Sequence, residues 1–487
     1  MSHPGPRRGL IRGATVFGRS CTDVRWSNGR ITACGTGLRA ERGEPVLEAG
    51  GGWLLPGLHD HHIHLRALAA RAGSVPLGPP QIRGREGFAA AVHRACARLP
   101  RDGWLRGVGY HESVAGPLDR DVLDRVAPDH PVRVQHRSGA LWVLNSVACR
   151  AAGVDSCSLP GIERDAAGRA TGRLWRMDSW LGARVGGGRV DLSAVGAAAA
   201  AAGVTGFTDA TPDLTVEAID SVAADRAAGA LLQRVHCMAP PRTPDRTGLG
   251  FTLGPTKILL DDTDLPTLPD FIARIRAAHA VGRPVAVHCV TPVQLVLTMA
   301  AVDEAGVLPG DRIEHGAMIP ADTLPWLRRT AITVVTQPHF PVERAAQYAA
   351  EVDPADRADL WRLGSLIAAG VGVAAGTDAP FGDADPWAVI RAATERAEPE
   401  RISLTAAIGL FLGEPTDPAR PRRITVGAPA DLALLRLPPQ DITTPHRDLV
   451  GATVIDGHVV FTARGARPGG ARACDDAFAT LTGHRRA

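Results

Sequence analysis

An α/β chain is predicted: a (β/α)8 barrel carrying an inserted subdomain, with a small composite β-sandwich domain built from both termini. Three observations predict it. Short apolar runs, each followed by a helical stretch, recur eight times through the middle of the chain. Both ends read instead as short strands broken by Gly, Asn and Asp turns. Finally, histidine, lysine and aspartate stand at or just beyond the ends of successive apolar runs, where a barrel gathers its functional groups.

Composition sets the class. The chain has 487 residues, 45% hydrophobic and 22% charged, so a large core can be buried and disorder is not expected. The net charge is +3, with no basic tract or aromatic-interleaved patch, which argues against nucleic acid as a partner. The alanine-rich stretch from Ala194 to Ala202 is shorter than the roughly 20 apolar residues of a membrane span. The opening MSHPGPRRGLIRGATVF lacks a signal-peptide core. Eight cysteines, from Cys21 to Cys474, contain no CxxC and suit reduced thiols. A cytoplasmic protein acting on a small molecule is expected, with a homodimer left open.

In chain order, residues 1–55 carry strands at Thr15–Phe17, Val24–Trp26 and Arg30–Thr32, with Ser27-Asn28-Gly29 as a hairpin turn. Residues from about 415 to 465 read alike: ADLALLRL, then ATVIDGHVVF turning at Asp456-Gly457. Neither end alone can bury a face, so the two are expected to pair. Between them, residues 56–414 supply the barrel. Its predicted runs are Trp53–Leu58, Val204–Asp209, Arg234–Met238, Thr256–Leu260, Pro284–Val287, Arg312–Glu314, Thr333–Thr336 and Val371–Ala375. Lys257, His288, His315, His339 and Asp378 follow one another at intervals of 24–39 residues, against about 31 per β/α unit of a TIM barrel. The stretch from His64 to Val204 is far too long for one helix and requires an insert at about 70–190, which holds Trp104, Trp142, Trp175 and Trp180.

The chemistry is carried by residues at the run ends. In PGLHDHHIHL, His62 and His64 alternate, so on a strand both face one side and can chelate a divalent metal. Later runs add Lys257 in GPTKILLDD, His288 in PVAVHCV, His315 in RIEHGAM and Asp378 in VAAGTDAP. Imidazole, carboxylate and carbamate oxygen all suit zinc and similar ions. Lys257 is the one lysine in a chain with 54 basic Lys and Arg residues. In so arginine-biased a background, a retained lysine points to a need for its amine.

These motifs, with the insert phrases LDRVAPDHPVRV and VLNSVA and the closing VGAPADLALL, resemble the amidohydrolase superfamily over nearly the whole chain. Within it, they resemble the amidohydrolase family 3 branch that contains N-substituted formamide deformylases. The resemblance implies a metal-dependent hydrolase of non-peptide C–N bonds, with one or two divalent ions, most simply zinc. It implies that His62, His64 and Asp378 hold one ion and that His288 and His315 hold a second. It further implies that Lys257 carries a CO2-derived carbamate bridging the two. Asp378 would move the proton, His315 or His339 would assist an oxyanion, and Asp60 would support a ligand. Two departures concern the substrate: Lys257 is followed by ILLDDTD where relatives carry Asp-Gly, and His288 by Cys289-Val290-Thr291-Pro292 where they carry Gly-Asp.

Neighbouring residues have plainer readings. His59 and His61 point away from His62 and His64 on a regular strand and are expected to pack or face solvent. Cys289, next to His288, is expected to be a buried structural thiol. His339 in TVVTQPHF is expected at the barrel mouth or as a strand residue. His136, Arg137, Ser138 and Arg176 lie on the insert, where a surface role is the commoner one for arginine. Two alternatives stay open: a non-hydrolytic relative (decarboxylase or isomerase) and an inactive scaffold homologue. No GxGxxG follows a strand, which disfavours an oxidoreductase.

Overall fold

The computed structural model describes residues 7–463 apart from 80, 101, 186–189, 213, 245–247 and 249. Cys474 and the last two residues of the predicted C-terminal strand region lie outside the described residues. The chain forms two compact units. Among the described residues, the first comprises 7–64, 193–378 and 382–463; the second comprises 65–192 and 379–381.

Among the described residues, the first unit is organised by nine parallel strands: β1 (Leu58–Ile63), β2 (Val204–Asp209), β3 (Arg234–Cys237), β4 (Phe251–Leu253), β5 (Thr256–Ile258), β6 (Val285–Cys289), β7 (Arg312–His315), β8 (Thr333–Thr336) and β9 (Val373–Ala375). They make two sheets, ordered β4-β3-β2-β1 and β5-β6-β7-β8-β9, every pairing parallel. Only Gly254 and Pro255 separate β4 from β5, and the Asp378 backbone N–H donates to the His62 carbonyl just beyond β9. Threonines 215, 267 and 291 cap the helices Val216–Ala227, Leu268–His279 and Pro292–Ala305. Each hydroxyl accepts a free first-turn N–H, so a short loop turns each time into helix.

Strand alternation sorts the side chains. Ile258, Val285, Val287, Cys289, Ile313 and Val334 pack in one apolar cluster with Phe271, Ile275, Leu295 and Leu327 from the helices. The residues between them, Lys257, Ala286, His288, Arg312 and Glu314, therefore point to the other face.

The first predicted run is divided differently from expectation. Trp53–Pro56 pairs with Leu432–Leu435 in an antiparallel arrangement, while Leu58–Ile63 begins the parallel set. The terminal regions form two sheets. One holds Arg8–Arg12, Asp23–Ser27, Arg30–Gly35 and Val46–Glu48; the other joins Thr15–Val16 and Trp53–Pro56 to Leu432–Leu435, Val450–Ile455 and His458–Thr462. Asn28-Gly29 and Asp456-Gly457 all have positive φ, as a tight hairpin turn demands. The two turns touch: Trp26 Nε1 donates to the Gly457 carbonyl at 2.8 Å, and Ala430 donates to that of Gly29.

The second unit carries a six-stranded sheet ordered Ile162–Arg164, Ala170–Trp175, Leu141–Leu144, Val132–His136, Leu105–Tyr110 and Val75–Pro76. The helices Gly84–Cys96 and Arg120–Val126 bury Phe88, Val92 and Leu123 in its core.

Candidate metal centre

Three of the predicted ligands converge. The donor atoms of His62, His64 and Asp378 all lie within 4.8 Å of one another. His64 Nε2 is 3.1 Å and His62 Nε2 3.5 Å from Asp378 Oδ1. His62 lies on β1 and His64 just after it, and Asp378 follows β9. Close approach of the two strands is what brings the groups together. A Cβ on Gly376 would sit 2.5 Å from the His62 backbone nitrogen, so only glycine fits there.

A second pair lies alongside. His288 and His315 stack edge-on with ring centroids 4.5 Å apart, and His315 is 4.7 Å from His62. Among the described residues, no third His, Cys, Asp or Glu donor joins that pair at ligand spacing. The Lys257 Nζ is buried without a hydrogen-bond partner. Burial pushes its amine down to about 8, against the opposing pull of Glu314 and Asp378. Burial alone would raise the Asp378 carboxyl, but His64, His62 and His315 hold it well below the ordinary range, so it stays ionised.

Glu314 belongs to the same cluster, and no role for it is expected from the sequence. Its Oε2 pairs with His62 Nδ1, and its Oε1 lies 2.5 Å from Arg312 Nε. A carboxylate accepting the Nδ1 proton leaves the lone pair on Nε2, the form a metal requires. That Nε2 is itself buried without a hydrogen-bond partner. The signal lay in RIEH: Arg312 and Glu314 alternate inward, and His315 joins them only because its φ of 70° breaks the alternation. Asp378 is likewise left-handed, at φ 52°. Non-glycine residues in that region are strained and cluster at functional sites.

The supporting contacts are dense. Asp60 accepts from the Thr377 N–H at 3.0 Å, the Thr377 hydroxyl at 2.5 Å and the His62 N–H at 3.2 Å. Burial nonetheless lifts its carboxyl to about 7. His315 Nδ1 lies 3.0 Å from Gln337 Oε1. His339 sits past the end of β8, at the start of the helix Phe340–Glu343, and is not a strand residue. It is buried, its Nε2 is 4.0 Å from Glu343, and burial lowers it to about 4. His59 and His61 are both buried, stacked at 4.6 Å, so packing rather than solvent exposure describes them. Cys289 is buried in the apolar cluster on the face away from Lys257.

The donor set fits divalent metal: imidazoles, an ionised carboxylate, and buried nitrogens on His62 and Lys257 that lack hydrogen-bond partners. Residues 46–461 match the amidohydrolase family. An N-substituted formamide deformylase of Arthrobacter pascens is 32% identical over 169 residues, spanning 32% of this chain and 31% of that relative. An uncharacterized metal-dependent hydrolase from Pyrococcus horikoshii OT3 superposes with a TM-score of 0.73 at 17% identity, covering 90% of this chain and all of that one. The atrazine chlorohydrolase TrzN of Arthrobacter aurescens TC1, complexed with zinc, gives 0.54 at 15% identity over 95% and 97% of the two chains.

Proposed function

Because this chain belongs to the amidohydrolase family, we propose that it is a metal-dependent hydrolase that cleaves a non-peptide C–N bond in a linear or cyclic amide. The observation that carries the proposal is the cluster of His62, His64 and Asp378, with His62 Nε2 buried and without a hydrogen-bond partner. The deformylase name of the Arthrobacter pascens relative supports an amide as substrate.

In this reading His62, His64 and Asp378 hold one ion, most simply zinc, and His288, His315 and Lys257 hold a second. The chemistry such ions supply when bound is Lewis-acid activation of water and of the amide carbonyl. Lys257 joins as a carbamate: its neutral amine forms an N–C bond with carbon dioxide and releases a proton, adding a carboxylate-type oxygen donor to the His288–His315 pair. An amine lowered to about 8 is neutral in an appreciable fraction of molecules at physiological pH. Asp378, ionised, takes the proton of the attacking water and returns it to the leaving nitrogen. His339 is neutral, lowered by burial to about 4, and can donate to oxygen without introducing charge; His315, whose Nδ1 faces Gln337 Oε1, has its one N–H engaged there and serves as a ligand.

The same reading takes the two parallel sheets as one eight-stranded barrel over residues 56–414, counting β4 and β5, which only Gly254 and Pro255 separate, as one interrupted strand, with an insert at about 70–190. Residues 1–55 and 415–465 then form the composite β-domain, which the pairing of Trp53–Pro56 with Leu432–Leu435 supports. The described cysteines are all unpaired, which supports a reducing, cytoplasmic setting. No helix among the described residues is long and apolar enough to cross a membrane.

Chelation of the purified protein tests the proposal, using a panel of formamides, N-acyl amines and cyclic imides. Turnover should vanish on metal removal and return with Zn2+ or Mn2+. Full activity in metal-free protein would end the argument.

A further inference from the structure

The second unit contains a separate group of metal-type donors. His111, Glu112 and His136 present ligand atoms that all lie within 4.8 Å of one another. Leu105–Tyr110 and Val132–His136 are parallel neighbours, with His136 opposite Tyr110, so His111 and His136 lie at the carboxyl ends of adjacent strands. His136 Nε2 is 3.0 Å from Glu112 Oε2, and the two imidazoles are 5.8 Å apart.

A repeated local pattern orients both rings. Each histidine is followed two residues later by serine, in His111-Glu112-Ser113 and His136-Arg137-Ser138. His111 Nδ1 is 2.8 Å from Ser113 Oγ, and His136 Nδ1 is 2.7 Å from Ser138 Oγ. The Ser113 and Ser138 backbone N–H groups also donate to those nitrogens, at 3.2 Å in both cases, so a bound cation would have to draw the lone pair from Nδ1 to Nε2. Two arrangements compete. With the lone pair on Nδ1, the His136 Nε2 proton faces Glu112 and the group is a simple hydrogen-bonded chain. With the proton on Nδ1, each ring donates to the nearer serine hydroxyl and its lone pair falls on Nε2, the atom a cation would use. Metal-bound histidines commonly donate their second nitrogen to such a partner.

We propose that His111, Glu112 and His136 form a divalent-metal site of the zinc class, distinct from the centre in the first unit. Two imidazoles and one carboxylate are the three-ligand set that leaves zinc an open fourth position. With bonds of about 2.0–2.1 Å, tetrahedral donors stand about 3.4 Å apart. The His136–Glu112 pair is already near that spacing, and all three groups are only part-buried, which leaves room for water as the fourth ligand. Arg137 works against the cation, since its charge bears on His136.

The test counts metal in the full-length chain. Chelator-stripped wild type, Glu112→Gln and His136→Ala are loaded with Zn2+, and with Co2+ for its visible absorption, then desalted and analysed. Both variants should carry about one equivalent less than wild type and lose one Co2+ band set. Circular dichroism checks folding. Glu112→Gln preserves shape and hydrogen bonding, so it remains decisive if His136→Ala does not fold. Equal metal in wild type and Glu112→Gln overturns the site. The difference is read whether or not the first unit binds metal, so its failure is separable from failure of the proposed hydrolase centre.

Discussion

Two clusters in this molecule have the same composition, two histidines and a carboxylate at the ends of parallel strands, and opposite surroundings. His62, His64 and Asp378 are buried, two of the neighbouring residues have left-handed or glycine-only backbone, and Glu314, Arg312, Asp60 and Thr377 brace these side chains and the backbone around them. His111, Glu112 and His136 are part-buried and held by two serine hydroxyls. The contrast teaches that donor identity alone does not set what a site can do. Burial makes an unfilled position costly and a bound charge effective, whereas an open cluster can satisfy itself with water.

Removing the charge from the buried cluster should have the largest effect. Asp378→Asn keeps shape and loses the carboxylate proposed as proton acceptor, so steady-state turnover should fall by about 10²–10⁴. A variant within tenfold of wild type would place the chemistry elsewhere. Next comes Glu314→Gln. It weakens the Nδ1 contact that sets the tautomer of His62, and metal affinity or activity should drop by about 10–100-fold. An unchanged dissociation constant in a competitive chelator titration would reduce Glu314 to a partner of Arg312 alone.

Ser138→Ala removes the corresponding support in the open cluster. A loss of about tenfold in Zn2+ affinity at that site is expected, at the low end because a hydroxyl replaces a carboxylate as the partner. A loss as large as that of Glu314→Gln would erase the contrast between the two regions.

The smallest effect is on acid stability. His236 and His339 are buried and lowered to about 3 and about 4, against about 6.5 in an unfolded chain. The unfolded state therefore binds more protons below that value. Their contribution to stability is complete above about pH 6.5 and disappears as pH falls through about 4 and then 3. The thermal midpoint of metal-free protein should decline between pH 6.5 and 4, and His236→Gln should flatten the decline. An identical slope in that variant would assign the acid sensitivity to other groups.

Much of this was legible in the sequence where one strand rule suffices. His62 and His64 share a face because they alternate, and Asn28-Gly29 and Asp456-Gly457 turn because their residues tolerate positive φ. The boundary at Gly57 was not legible, because Trp53–Ile63 is one apolar-rich run whose halves differ only in which sheet they join. Glu314 was hidden for another reason. Regular alternation puts it opposite His315, and only the positive φ of His315 brings both into one cluster. His339 shows the limit of spacing: it keeps the interval expected of a strand end but begins a helix.

Whether Lys257 serves the buried centre through its amine, as proposed, is tested most directly by metal content with turnover in Lys257→Arg. Guanidinium stays protonated and does not add carbon dioxide, although arginine is the commonest basic residue in this chain. The arginine variant should lose about one metal equivalent and its activity while staying folded, with Lys257→Ala partly rescued by a short carboxylic acid that supplies the missing oxygens. Normal metal content and normal rate in the arginine variant would contradict it, leaving Lys257 a bystander and the two-ion centre without its bridge.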